Sequence, residues 1–189
     1  MVLAFHKPYG VISQFRPETP GQRTFAEFGF PPDVYPVGRL DLDSEGLILL
    51  SNERGFTDRL LNPRAAHPRT YHVQVDGAPD EAALEPMRRG GLRIQDHICR
   101  ACQSHVLDPA PSYPPRDPPV RFRKLIPTTW IEITLTEGKN RQVRRMTAAC
   151  GFPTLRLIRA AIGRYQLADL PIGSWQELNT QDRELLWRL

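Results

Sequence analysis

The sequence is poor in cysteine and contains no long apolar run. Its 189 residues include three cysteines, an odd number that argues against a disulfide framework and indicates a reducing cytoplasm. No stretch of roughly 18 residues is continuously apolar, which excludes a membrane-spanning helix. The first residues lack the apolar core of a secretory signal. We therefore expect a cytoplasmic protein that does not associate with membranes.

Lysine is also scarce, and the basic residues are unevenly distributed. The net charge is only +4, but residues 116–164 contain eleven lysines or arginines against three acids. The rest of the chain contains 14 basic and 18 acidic residues. Arginine content also reflects genome composition, so the excess of arginine over lysine is weak evidence. One basic segment on a near-neutral body nevertheless predicts an anionic partner such as nucleic acid.

The hydrophobic pattern predicts an α+β protein. Strands are expected at residues 2–6, 11–14, 46–51, 70–76, 130–136, 154–161 and 164–167, with one or two more within residues 94–107. Helices are expected at residues 52–62, 79–89, 140–150 and 180–188, the third of them capped by Asn140. Residues 16–36 and 108–119 are rich in proline and predict loops, with a short helical turn near residues 24–28. Many strands and few helices indicate a largely antiparallel, mixed sheet flanked by helices.

Three acids precede the apolar strand predicted at residues 46–51: Asp41, Asp43 and Glu45. A calcium loop of the EF-hand type would need a bidentate glutamate at its twelfth position, which here is Asn52. A magnesium site for phosphoryl transfer usually accompanies a phosphate-binding glycine loop, and the sequence contains none. A solvated turn without function is the third interpretation. The residues alone leave these alternatives open.

A second group with metal-binding chemistry is His97, Cys99, Cys102 and His105. Cysteine and histidine at this spacing could bind zinc tetrahedrally. In an extended strand, however, Cys102 would point away from the other three side chains. We therefore predict no metal site.

Four segments in order resemble the motifs of the pseudouridine synthases, in particular the ribosomal small subunit pseudouridine synthase A family. They are HKPYG (residues 6–10), GRLD with DSEGL (38–41 and 43–47), RTYHV (69–73) and EGKNRQVRRM (137–146). The resemblance implies an RNA-modifying isomerase, with residues 1–189 forming one catalytic domain of two lobes around a central cleft. Most members carry an N-terminal S4-type domain, whereas here the first motif begins at residue 6. We therefore expect no S4 domain, as in a short-form member, and 23S rRNA of the large subunit as the partner.

The resemblance also implies roles for individual residues. Asp41 would be the catalytic carboxylate, either as a nucleophile or as a base. Arg144 would be its cationic partner, and Tyr71 would stack on the uracil and assist removal of the C5 proton. Arg39 would fill the space that the flipped uridine leaves. Contacts to RNA phosphates are expected from five residues: Lys7, Lys139, Asn140, Arg141 and Arg145.

The resemblance implies no metal and no organic cofactor, and we expect a monomer. Two alternative functions follow from the same residues. One is a non-catalytic RNA-binding or ribosome-assembly protein on the same fold, and the other is a metal-dependent nuclease. An intact set of Asp41, Tyr71 and Arg144 favours the isomerase.

Overall fold

A computed structural model describes residues 1–121 and 123–188. Within these ranges the chain forms eleven strands and four α-helices, with two short 3-10 helices at Phe25–Phe28 and Pro63–Ala65. The strands are β1 (Val2–Lys7), β2 (Tyr35–Pro36), β3 (Glu45–Ser51), β4 (Arg69–Asp76), β5 (Arg93–Ile94), β6 (His97–Ile98), β7 (Gln103–Val106), β8 (Thr128–Leu135), β9 (Thr154–Ile162), β10 (Tyr165–Gln166) and β11 (Trp175–Glu177). The helices are α1 (Phe56–Leu61), α2 (Glu85–Arg89), α3 (Gln142–Ala149) and α4 (Thr180–Trp187). The α+β prediction is therefore confirmed.

The chain divides into two compact units. The first contains Met1–His67 and the residues from Ile158 onward, and the second is Pro68–Leu157. Within the described residues, no helix combines the length and the apolar character needed to cross a membrane.

The sheet of the first unit is built around β1 and β3, which are buried along their whole length. β1 pairs antiparallel with both β3 and β11, and β2 and β10 add short antiparallel pairs to β3 and β9. β3 pairs parallel with β9, with Glu45 opposite Ile158 and Gly46 opposite Arg159. A strand that is covered on both faces appears in the sequence as a continuous apolar run. Such runs predicted the strands at residues 2–6 and 46–51, and both are confirmed.

Aromatic rings cover one side of β1. The Phe5 ring lies 5.4 Å from Phe25 and 5.0 Å from Phe30, and Phe30 stacks on Trp175 at 6.0 Å. Phe25 belongs to the 3-10 helix, which Thr24 caps by accepting a hydrogen bond from the Ala26 N–H. The short helical turn predicted in this proline-rich region is therefore confirmed.

The sheet of the second unit has β8 at its centre, antiparallel to β4 on one side and to β7 on the other. Its apolar face carries Val73, Val75, Ile131 and Ile133, which are almost completely buried together with Met146 of α3. Its other face is polar. The His72 Nε2 lies 3.1 Å from Glu132 Oε2, and the Tyr113 hydroxyl lies 2.6 Å from His72 Nδ1. Tyr113 comes from the proline-rich loop, where the prediction of no regular structure is confirmed.

The helix expected at residues 52–62 is limited to α1, and the region at residues 94–107 contains β5, β6 and β7 where one or two strands were expected.

Three further local predictions are wrong. Residues 11–14 form no strand, since Ile12 hydrogen-bonds to Arg23 and only Val11 makes an isolated bridge. The helix expected at residues 79–89 is reduced to α2, because Pro86 lacks an N–H donor and lies in the first turn. Asn140 does not cap α3: the capping position is Arg141, with a φ of 52° and no side-chain cap.

Candidate active site

Asp41 lies in a tight turn that leads into β3. The Ser44 N–H donates to the Asp41 carbonyl at 3.0 Å, which closes the turn. The Gly10 N–H donates to the Leu42 carbonyl at 2.9 Å. The turn is therefore anchored by its own backbone and by the segment that follows β1, and it holds the Asp41 side chain half-buried.

Ser13 anchors the residue before the aspartate. Its hydroxyl donates to the Leu40 carbonyl at 2.8 Å and accepts from the Leu40 N–H at 3.0 Å. Both polar groups of Leu40 are satisfied in this way, so the backbone entering the turn is fixed on both sides. Sequence reasoning missed Ser13, because the contact joins residues 27 positions apart and leaves no local signal.

Lys7 is buried beneath this turn. Its side chain is fully inaccessible, and its Nζ donates to the Ser44 carbonyl at 2.7 Å and to the Pro8 carbonyl at 3.0 Å. The prediction that Lys7 contacts an RNA phosphate is therefore wrong for the described structure, since its ammonium is enclosed by protein. Lys7 instead supports the turn that carries Asp41.

Burial lowers the pKa of Lys7 to about 7 from its ordinary value of 10.5. The carboxylates of Glu45, Asp43 and Asp41 act in the opposite direction and raise this pKa, but they do not outweigh the loss of solvation. The first of these, Glu45, is itself buried. The turn therefore combines three acids with one lysine in a region of low solvent access.

Arg39 belongs to the same unit as Asp41 and is exposed. Its Nη2 lies 3.8 Å from Glu18 Oε1, and both side chains are open to solvent. Such a pair is weak and easily exchanged for another anion. The position is compatible with the predicted RNA contact of Arg39.

Tyr71 and Arg144 belong to the second unit. Tyr71 lies on β4 and packs partly against the apolar cluster that contains Val73 and Val75. Arg144 lies in the first turn of α3 and is half-buried. Thr147 donates its hydroxyl to the Arg144 carbonyl at 3.2 Å.

The segment before α3 carries the remaining predicted RNA contacts. Lys139, Asn140 and Arg141 are exposed, and Arg145 donates from Nη2 to Asn140 Oδ1 at 2.9 Å. The segment is closed by Gln142, whose Oε1 accepts from the Lys139 N–H at 3.0 Å. Asn140 and Arg145 are thus brought together on a surface that is open to an anionic partner.

The four zinc ligands considered above do not form one site. Cys102 donates its thiol hydrogen to the Met87 carbonyl at 3.4 Å, and His105 lies 3.9 Å from Glu132. All three cysteines are free. Within the described residues, one group of at least three side chains has metal-ligating atoms close together, namely His97, Cys99 and Glu137.

The comparison with known proteins identifies the class. The family of RNA pseudouridylate synthases matches residues 1–149, so the chain belongs to this family of isomerases. Two relatives are named ribosomal large subunit pseudouridine synthase E. The one from Xanthomonas axonopodis pv. citri is 53% identical over 97% of both chains. The one from Vibrio vulnificus is 48% identical over 94% of this chain and 75% of its own length.

A solved structure described as a pseudouridylate synthase shares the fold. It aligns with a TM-score of 0.79 over 98% of this chain and 73% of its own, at 24% identity. The family predicted from the four motifs is confirmed by the match over residues 1–149 and by these relatives.

Proposed function

We propose that this enzyme isomerises a uridine of large-subunit rRNA, the 23S rRNA, to pseudouridine. The observation that carries the proposal is the 53% identity, over nearly the whole of both chains, to a relative named ribosomal large subunit pseudouridine synthase E. The turn at Asp41 supports it, since a carboxylate held half-buried by a fixed backbone is preorganised for chemistry.

The reaction breaks the N1–C1′ bond of the uridine, rotates the detached uracil and forms a C5–C1′ bond. The C5 proton is lost and N1 gains a proton, so the product is an isomer of the substrate. Asp41 is the proposed catalytic carboxylate, as a nucleophile on the nucleoside or as a base for a ribose proton. Either role requires the ionised form.

The other proposed roles follow from the resemblance. Tyr71 stacks on the uracil, which is worth roughly 1–3 kcal/mol, and its hydroxyl assists removal of the C5 proton. Arg144 is the proposed cationic partner of the catalytic carboxylate. Arg39 occupies the place of the flipped nucleotide. The proposed phosphate contacts come from three exposed residues before α3 and from one residue within this helix: Lys139, Asn140, Arg141 and Arg145.

We further propose that the enzyme acts as a monomer in the cytoplasm. Three free cysteines and no disulfide among them suit a reducing compartment. The isomerisation itself requires no metal ion or organic cofactor.

The test is pseudouridine mapping of large-subunit rRNA incubated with wild-type protein and with Asp41→Asn. We expect the wild type to modify a specific uridine. The variant should still bind the RNA but should lose at least about 10²-fold in rate, the lower range for removal of an acid–base group. Asp43→Asn is the matched control, since it removes a carboxylate from the same turn and should keep activity.

The alternatives give different results. A non-catalytic RNA-binding protein would bind the RNA and form no pseudouridine even as the wild type. A metal-dependent nuclease would cleave the RNA and lose this activity in chelator. Undiminished pseudouridine formation by Asp41→Asn would refute the assignment of the carboxylate.

A further inference from the structure

The second unit contains a group of nitrogen, sulfur and oxygen donors that the isomerisation does not use. His97 lies on β6, Cys99 follows it, and Glu137 follows β8. One ligating atom from each lies within 4.8 Å of the other two. Imidazole, thiolate and carboxylate together are a donor set that zinc accepts. We propose that His97, Cys99 and Glu137 bind one zinc ion, with a fourth position open to water.

The backbone directs two of these side chains to the same place. His97 and Cys99 are two residues apart, and in an extended segment side chains at this spacing share a face. Ile98 between them points outward and is 60% exposed, whereas Cys99 is 2% exposed. The Cys99 thiol therefore faces the interior beside Glu137. The His97 side chain lies on the same face as this thiol.

The carboxylate is oriented before any ion arrives. Glu137 Oε2 lies 3.0 Å from His97 Nε2. Its other oxygen, Oε1, accepts from the Arg100 N–H at 2.9 Å and from Gln142 Nε2 at 2.6 Å. One oxygen is thus held by outer hydrogen bonds while the other faces a ligand, which is how carboxylates are fixed around bound metals.

An ion can reach this group from solvent. The His97 side chain is 29% exposed and that of Glu137 is 11% exposed, so both side chains are accessible to solvent. Zinc would replace the hydrogen bond between His97 and Glu137 by two bonds to the metal. It would also bind the Cys99 side chain as a thiolate.

The metal would join two separate parts of the second unit. It would link the β5–β6 hairpin to residues 137–141, the segment that leads into α3 and carries Lys139, Asn140 and Arg141. The ion would cross-link these two segments, and no step of the isomerisation passes through it. The inference depends only on these side chains and is independent of the substrate proposed above.

The experiment titrates zinc into the metal-stripped full chain, without RNA, in competition with a chromophoric chelator. We expect one zinc per chain. Removing even an outer partner of a metal ligand costs roughly 10–100-fold in affinity, so Cys99→Ser and Glu137→Gln should each weaken binding by at least about tenfold. Cys102→Ser and Cys150→Ser are matched controls and should bind as the wild type does. Cobalt(II) should give a thiolate charge-transfer band that Cys99→Ser alone among the cysteine variants loses.

The proposal is overturned if the wild type binds no stoichiometric zinc, or if Cys99→Ser and Glu137→Gln bind it unchanged. A hydrogen-bonded cluster without metal gives the first of these results. Circular dichroism checks that each variant is folded, and His97→Gln, which keeps the size and polarity of the side chain, decides the question should the other two unfold. Pseudouridine formation measured in chelator is a separate readout, so failure of the zinc site leaves the proposed isomerase intact.

Discussion

Lys7 shows how one residue of a recognisable motif can differ from its expected role. A lysine in a protein that binds RNA is readily assigned to a phosphate, yet this one ends a strand that is buried from Val2 onward. Full burial of lysine is rare and requires partners. Here the partners are two backbone carbonyls, one of which belongs to Ser44 in the turn of Asp41. The lysine therefore supports the turn of Asp41 through its backbone.

The lowered pKa of Lys7 makes the stability of the protein depend on pH. Between about pH 7 and 10.5 the folded state binds fewer protons at this site than the unfolded state. The free energy of unfolding should therefore gain a contribution that rises with pH, by up to about 1.4 kcal/mol per pH unit. Lys7→Met should remove this contribution. Urea unfolding of wild type and variant from pH 6 to 10 measures the difference.

Subtracting the two curves cancels the other groups that titrate in this range, including the cysteines. Lys124→Met is the control, because Lys124 is exposed and its removal should leave the pH dependence of the wild type unchanged. Parallel curves for wild type and Lys7→Met would show that the buried lysine does not change its protonation across this range.

At the scale of elements, strands with a periodic sequence pattern were predicted correctly. A segment whose conformation depends on long-range contacts was not. The strand alternation of β4 and β8 and the apolar run of β3 were readable, because the burial of each strand repeats along its own sequence. The segment at residues 11–14 has strand composition, but its hydrogen bonds go to Arg23 and Leu40. Its conformation is therefore set by distant residues.

The residues of the candidate site also fall into two groups: those that local motifs predict and those whose role depends on contacts between distant parts of the sequence. Asp41, Tyr71 and Arg144 remain predictions from motifs, since short segments carry the resemblance to the family. The support from Ser13 and the burial of Lys7 arise only when β1 pairs with β3. The pairing of His97 with Glu137 joins residues 40 positions apart. No local pattern could have indicated it.

Gly46 is the point at which β3 meets β9. It has a φ of +101°, and a Cβ at this position would lie 2.4 Å from the Arg159 carbonyl oxygen and 2.6 Å from its nitrogen. Gly46→Ala should therefore destabilise the protein by about 2–6 kcal/mol, because backbone strain and overpacking each cost about 1–3 kcal/mol. Denaturant unfolding measures this value.

Gly21→Ala separates the two causes. Gly21 also has a positive φ, of +82°, but a Cβ there would meet nothing within 4 Å. Its substitution should cost only the backbone strain, about 1–2 kcal/mol. Equal losses in the two variants would mean that the close approach of β9 does not matter.

At the scale of the whole molecule, the basic segment at residues 116–164 is less uniform than its composition suggests. Arg156 and Arg159 are buried, and Arg123 Nη1 lies 2.9 Å from Asp76. Other cations of the segment, including Arg121, Lys124 and Lys139, are exposed. Only part of the local charge excess can therefore face an RNA phosphate, and the number of ionic contacts should be smaller than the number of basic residues.

The number of ionic contacts with RNA can be measured through the salt dependence of binding. For single-stranded RNA, log affinity falls with log salt concentration at a slope of about −0.7 for each phosphate contact. Lys139→Gln should make the slope shallower by about 0.7 and weaken binding at low salt, because Lys139 is exposed in the segment before α3. Arg54→Gln removes an exposed cation from outside the basic segment and should leave the slope unchanged. If Arg54→Gln changed the slope as much as Lys139→Gln, or if wild-type binding did not respond to salt, the basic segment would not be the RNA-binding surface.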